Sequence, residues 1–104
     1  MRVLLTGSTG RLGGAFLSLW AKDPEITLVS PSRQELDLSE PEEVRSFLRQ
    51  AEFDLLVNPA AITGLEECLD HPELAQRVNV DAPRVMAEVC SVKSAKLVHF
   101  STDY

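Results

Sequence analysis

The chain has 104 residues, 44% of them hydrophobic and 25% charged, the balance of one small globular domain over residues 1–104 with no room for a second. Its formal net charge of −6, without any run of Lys or Arg, argues against a broad nucleic-acid footprint and against an anionic membrane surface. No apolar run nears the roughly 20 residues that span a bilayer, and no signal-peptide pattern precedes the first strand, so the cytoplasm is the expected compartment.

From the amino terminus, RVLLT (residues 2–6) is a short apolar run bounded by glycine, which reads as a buried strand. Leu12, Ala15, Phe16, Leu19 and Trp20 then recur at helical spacing and predict an amphipathic helix with that stripe inward. ITLVS, Ile26 to Ser30, is β-branched and lies between Pro24 and Pro31, a second strand. Ser39-Glu40-Pro41-Glu42 has the form of a capping box, and Val44, Phe47, Leu48 and Ala51 give the following helix an apolar side. FDLLVN, Phe53 to Asn58, is a third strand, stopped by Pro59. Asp70-His71-Pro72-Glu73 repeats the capping pattern and opens a helical region to about Val92, with Ala82, Val85, Met86, Val89 and Cys90 as its later stripe. Pro83 either breaks or kinks this region or lies in the first turn of a second segment after Asp81. KLVHFS, Lys96 to Ser101, is the fourth strand.

Apolar strands separated by helices predict an α/β fold with a parallel sheet covered on both faces, because parallel strands need crossover connections. The expectation is a Rossmann-type doubly wound sheet ending after its fourth strand, in the spatial order 3-2-1-4. Cys68 and Cys90 lack CxxC spacing, and His71 and His99 match no ligand pattern. Two reduced cysteines and no metal are expected.

The turn after the first strand holds Gly7-Ser8-Thr9-Gly10-Arg11-Leu12-Gly13, a G-x-x-G-x-x-G variant of the dinucleotide fingerprint. Gly7 permits a tight turn, Gly10 removes a side chain where a pyrophosphate approaches, and Gly13 lets the helix pack closely. The helix start, with Arg11 and Leu12, supplies free N–H groups and partial positive charge. A merely flexible turn with close helix packing is the competing reading. NAD binders usually place an acid about 20 residues past the motif. Here Ser30-Pro31-Ser32-Arg33 stands instead. Arg33 can pair with a 2′-phosphate, with Ser32 beside it as a further cofactor-binding position, so NADP is favoured over NAD. Glu35 keeps NAD open.

The glycine pattern, LDLSEPE, VNPAAIT, PELAQRVNVDAP and the closing LVHFSTDY together resemble the extended short-chain dehydrogenase/reductases, and among them the RmlD-like branch of dTDP-4-dehydrorhamnose reductases. Methionine adenosyltransferase β subunits are near relatives of that branch. The resemblance implies that Asp37 and Leu38 lie beside the adenine, and that Ala60 and Ala61 let the cofactor pass over the sheet, followed by Thr63. It also implies that Thr102 orients a substrate carbonyl while Ser101 and Tyr104 line the nucleotide-sugar pocket. Asn79 matches a helical asparagine of the family. Pro59, Ile62 and Glu66-Glu67 depart from its usual residues and leave the sugar open.

What the resemblance implies for activity is NAD(P)H-dependent reduction of a dTDP-4-dehydro-6-deoxy sugar in dTDP-rhamnose biosynthesis. The family's Tyr-x-x-x-Lys pair is not present, since Tyr104 is the one tyrosine and no lysine follows it. The chain alone is therefore expected to bind without turnover, the substrate domain being absent. A non-catalytic nucleotide-binding or regulatory module, as in the β subunit, is the alternative. A fourth strand without its outer neighbour is expected to expose an edge that favours self-association.

Overall fold

The computed structural model describes residues 1–59 and 70–100. Strands β1 (Arg2–Leu5), β2 (Thr27–Val29), β3 (Leu55–Asn58) and β4 (Lys96–His99) form one sheet in the order β2-β1-β3-β4. Every pairing is parallel. β1 is central and its Val3, Leu4 and Leu5 are at most 1% exposed.

The α/β class and the parallel sheet match the sequence reading; the order 3-2-1-4 does not. The connection through helix α1 (Arg11–Trp20) carries the chain from β1 to β2 on one side, and helix α2 (Pro41–Gln50) brings it back across β1 to the other. Reversing direction while keeping right-handed crossovers puts successive helices on opposite faces. The side chains follow that division. Val3, Leu5 and Val57 pack with Phe16, Leu17 and Trp20 of α1, whereas Leu4 and Leu56 pack with Val44 and Leu48 of α2 and with the carboxyl-terminal helix. Alternate residues of one strand thus serve two layers, as the two-residue period requires. The stretch between β2 and α2 forms turns, and its Leu36 and Leu38 join the α2 layer.

α1 is rotated from its expected orientation. Leu12, Ala15 and Leu19 are exposed, while Gly13, Phe16, Leu17 and Trp20 face the sheet. Phe16 stacks on Trp20 with ring centroids 4.8 Å apart and meets Phe100 at 5.7 Å. α2 keeps its expected stripe, but neither α2 nor the helix after His71 has a side-chain cap. Ser39 is engaged elsewhere: its backbone N–H and its hydroxyl both bond to Asp37.

Past β3, helix α3 (Pro72–Gln76) runs through a π-helical turn, Arg77–Asp81, into α4 (Ala82–Lys93). The Ala82 N–H donates to the Arg77 carbonyl five residues back. That wider turn accommodates Pro83, which has no N–H and would crowd the carbonyl four residues earlier in an α-helix. Of the two readings of Pro83, the second describes its place, in the first turn of α4, although the helix before it continues without a break. The later stripe, Ala82, Val85, Met86, Val89 and Cys90, is buried throughout.

α4 ends at Ser94, whose φ of 59° lies in the left-handed region. A side chain is disfavoured there and glycine is not. Ser94→Gly is expected to raise stability by about 0.5–1 kcal/mol, read as a higher urea midpoint with an unchanged slope.

Candidate functional site

The crossovers from β1 and β3 leave in opposite directions, so a crevice opens beyond the carboxyl ends of these adjacent strands. This is where doubly wound sheets bind ligands. A cleft of about 510 Å³ occupies the position, lined by residues 6–13 after β1, by residues 31–33 and 36–39 after β2, and by Pro59 after β3. Leu74 of α3 and Val78 of the π-turn complete it.

Two of the loop's glycines are required by the fold, each by a different constraint. Gly7 has φ of 61°, a conformation L side chains rarely adopt. Gly13 is buried, and a Cβ there would stand 1.9 Å from the Gly7 carbonyl oxygen. The first turn of α1 thus rests directly on the loop's own backbone. Gly10 differs from both. It is exposed, its φ of −78° suits any residue, and a Cβ would meet the Gly7 oxygen at an ordinary 3.4 Å. Nothing in the described protein requires glycine at position 10.

Gly10 is also the N-cap of α1, and no side chain caps that helix. Its own N–H donates to Gly7 O, and its carbonyl receives the Gly14 N–H. The N–H groups of Arg11, Leu12 and Gly13 have no intrahelical acceptor. The first turn holds no acid and begins with a cation, Arg11, against the favoured sense of the helix dipole. α2 shows the usual arrangement, with Glu42 and Glu43 at its start and Arg49 at its end. The positive character of the start of α1 is thus not offset by any acid in its first turn.

Arg11 and Arg33 both line the cleft, both are exposed, and neither joins an ion pair among the described residues. Ser32 lines the cleft and is locked to Glu35 by reciprocal bonds: the Ser32 N–H donates to the Glu35 carboxylate at 3.1 Å, and the Glu35 N–H to the Ser32 hydroxyl at 3.3 Å. This is capping-box chemistry at Ser32-Arg33-Gln34-Glu35, an S-x-x-E signal present in the sequence but overlooked for the one at Ser39. It engages Glu35 outside the cleft. Asp37 faces the cleft with Leu38; the hydroxyl and N–H of Ser39, at 2.6 and 2.9 Å, hold its carboxyl below the usual carboxylate range.

Nine expected site residues therefore meet in one cleft: Gly7, Gly10, Arg11, Leu12, Gly13, Ser32, Arg33, Asp37 and Leu38. Ala60, Ala61, Thr63, Ser101, Thr102 and Tyr104 lie outside the described residues. Thr6, Leu74 and Val78 also line the cleft and carry no signal of a site in the sequence reading, and Pro59, read as a strand stop, lines it too. Helical spacing gives Leu74 and Val78 as an i, i+4 pair, which is the signal that could have placed them together. Cys90 is buried and its thiol is pushed up by desolvation; Cys68 is not among the described residues. No described helix is long and apolar enough to cross a membrane.

A glycine loop at the switch point of a parallel, doubly wound sheet places the chain among the Rossmann-like α/β folds. Within that class it belongs to the family described as the RmlD substrate binding domain, whose profile matches residues 1–104. It is 34% identical over 103 residues to a dTDP-4-dehydrorhamnose reductase of Mycolicibacterium smegmatis, covering 99% of this chain and 31% of that one. A dTDP-4-dehydrorhamnose reductase of Clostridium acetobutylicum superposes with a TM-score of 0.90 at 28% identity, over 100% of this chain and 37% of that one. The Bacillus anthracis reductase solved in complex with NADP gives a TM-score of 0.84 at 27% identity, over 99% and 37%. The chain spans about a third of the length of the curated relatives it matches.

Gly13→Ala is expected to cost about 1–3 kcal/mol, since backbone must move to admit the methyl; chemical denaturation reads it. Ser39→Ala should raise the Asp37 titration midpoint toward the ordinary carboxylate value, as followed by carboxyl-carbon NMR. The sign follows from linkage. A carboxyl depressed in the folded state stabilises above its unfolded pKa, and that contribution is lost as pH falls through the folded one. The wild type should lose this contribution at lower pH than the variant.

Proposed function

We propose that residues 1–104 are the dinucleotide-binding part of an RmlD-like reductase, and that NADP is held in preference to NAD. Gly10 carries the nucleotide reading. It is a glycine that the packing of the described residues does not need, at the start of a helix with three N–H groups and, among those residues, no capping side chain. A pyrophosphate lying against it accounts for the missing side chain and supplies the missing negative charge.

In this reading the N–H groups of Arg11, Leu12 and Gly13 bind the phosphates, with Gly7 and Gly10 clearing their approach. Asp37 and Leu38 meet the adenine, and Ala60, Ala61 and Thr63 continue the track over the sheet. Ser32 and Arg33 hold the 2′-phosphate. Arg33 is in the cleft and joins no ion pair among the described residues, while Glu35, the acid that would serve an NAD ribose, is tied to Ser32. The NADP complex of the Bacillus anthracis relative supports the same choice.

The nicotinamide cofactor supplies hydride; the chain's own residues bind and orient. Thr102 is assigned to the substrate carbonyl, with Ser101 and Tyr104 beside a nucleotide sugar. The relatives' name, dTDP-4-dehydrorhamnose reductase, supports a dTDP-4-dehydro-6-deoxy sugar as the substrate and dTDP-rhamnose biosynthesis as the setting; the cytoplasm is the compartment proposed for it. The outer edge of β4, unpaired among the described residues, supports association with a second copy of the chain.

Calorimetric titration with NADPH and NADH tests this. Gly10→Asp introduces a preferred capping residue at a position open to it, so the free protein should melt at the same temperature or higher. Its negative charge and volume should abolish NADPH binding. Arg33→Ala should weaken NADPH about tenfold or more and NADH less than twofold, the loss of a charge-assisted bond. A folded wild-type chain that binds neither nucleotide would overturn the reading.

A further inference from the structure

Leu4, Leu56 and Leu97 stand at matching register positions on β1, β3 and β4. Two residues further along each chain, on the same side of the sheet, come Thr6, Asn58 and His99. Asn58 pairs in register with His99, and the Thr6 N–H donates to Val57 O at 3.0 Å. A leucine row is followed by a polar row, at a depth where Thr6 is 2% and Asn58 0% exposed.

Buried polar groups must be satisfied, and this row largely satisfies itself. The Thr6 hydroxyl donates to Asn58 Oδ1, and Asn58 Nδ2 lies 3.0 Å from His99 Nδ1. In this amide orientation the oxygen, which can only accept, faces the threonine hydroxyl, and the nitrogen, which can only donate, faces His99 Nδ1. Apolar side chains of similar shape would hold the sheet at least as well. What hydrogen bonds add is orientation, and the residue they orient is the last before Gly7.

We propose that Thr6, Asn58 and His99 are positioning residues for the loop from Gly7 to Gly13. Asn58 fixes Thr6, and with it the direction in which the chain enters the φ 61° turn at Gly7. His99 Nδ1, 3.0 Å from Asn58 Nδ2, holds the amide with its oxygen toward Thr6. The inference rests on the nucleotide reading above, and it identifies the pyrophosphate as the ligand group whose binding depends on the row.

The test compares two ligands by NMR titration on the 104-residue chain. NADPH carries a pyrophosphate; adenosine 2′-monophosphate carries the adenosine and the 2′-phosphate without one. Asn58→Leu and the isosteric Thr6→Val should each weaken NADPH about tenfold and leave adenosine 2′-monophosphate within twofold, at a temperature where melting shows both variants folded. Thr6→Ser, which keeps the hydroxyl, should bind both ligands like the wild type. Parallel loss of both ligands, or NADPH binding unchanged in Thr6→Val, overturns the inference and leaves the nucleotide reading standing. Should Asn58→Leu not fold, Thr6→Val and Thr6→Ser decide the matter by themselves. A wild-type chain that binds no NADPH overturns both.

Discussion

The contact on which the rest depends is backbone against backbone: the first turn of α1 seated on the Gly7 carbonyl, with no Cβ between them. That seat fixes how far the helix stands from the sheet and how it is rolled about its axis. The roll turns Phe16, Leu17 and Trp20 inward and leaves Leu12 and Leu19 in solvent, although leucine is as apolar as the residues that are buried. It also aims the first-turn N–H groups at the crevice between β1 and β3. One packing constraint thereby sets both the hydrophobic layer and the polarity of the cleft.

Local charge in that cleft runs against the whole. The chain carries −6 overall, yet the cleft presents a helix amino terminus and two arginines that join no ion pair among the described residues. Over distances beyond a Debye length of about 8 Å the excess acid is screened, while groups in direct contact with a ligand are not. The potential at the cleft is therefore set by the groups that line it and little by the distant acids. Asp37, kept ionised by Ser39, marks where the positive character of the cleft ends.

Elements whose burial is set by their own pattern were legible in the sequence. The stripe of α4 is buried and that of α2 faces the core, Val44 and Leu48 fully and Phe47 and Ala51 in part, because neither helix has a competing apolar face. α1 was not legible in the same way. Two stripes overlap in it, and the decisive inward residue is Gly13, which has no side chain for a hydropathy pattern to count. Strand order was misread because each βαβ unit is locally alike; which side of β1 the third strand joins is settled by where α2 finds a partner, and that partner is α4, some forty residues away. The glycine loop could be read because its constraint is local. The polar row of Thr6, Asn58 and His99 could not, since three residues widely separated in the chain become neighbours only across strands. Capping boxes fell between these cases: the right chemistry occurs in the chain, but at Ser32 and not at Ser39, where Asp37 competes for the hydroxyl.

The wide turn at Arg77–Asp81 has a geometrical consequence. In an unbroken α-helix, Val78 and Ala82 would share one stripe, four residues apart. A turn closed by a bond five residues back inserts a lag of one residue, equivalent to about 100° of helical rotation. Ala82 and the residues after it are in phase with the sheet, whereas Leu74 and Val78 are in phase with the cleft. One continuous rod therefore has two faces set at an angle, one gripping the core and the other reaching the ligand side. Pro83, by excluding the tighter turn, acts as the pin that keeps them out of phase.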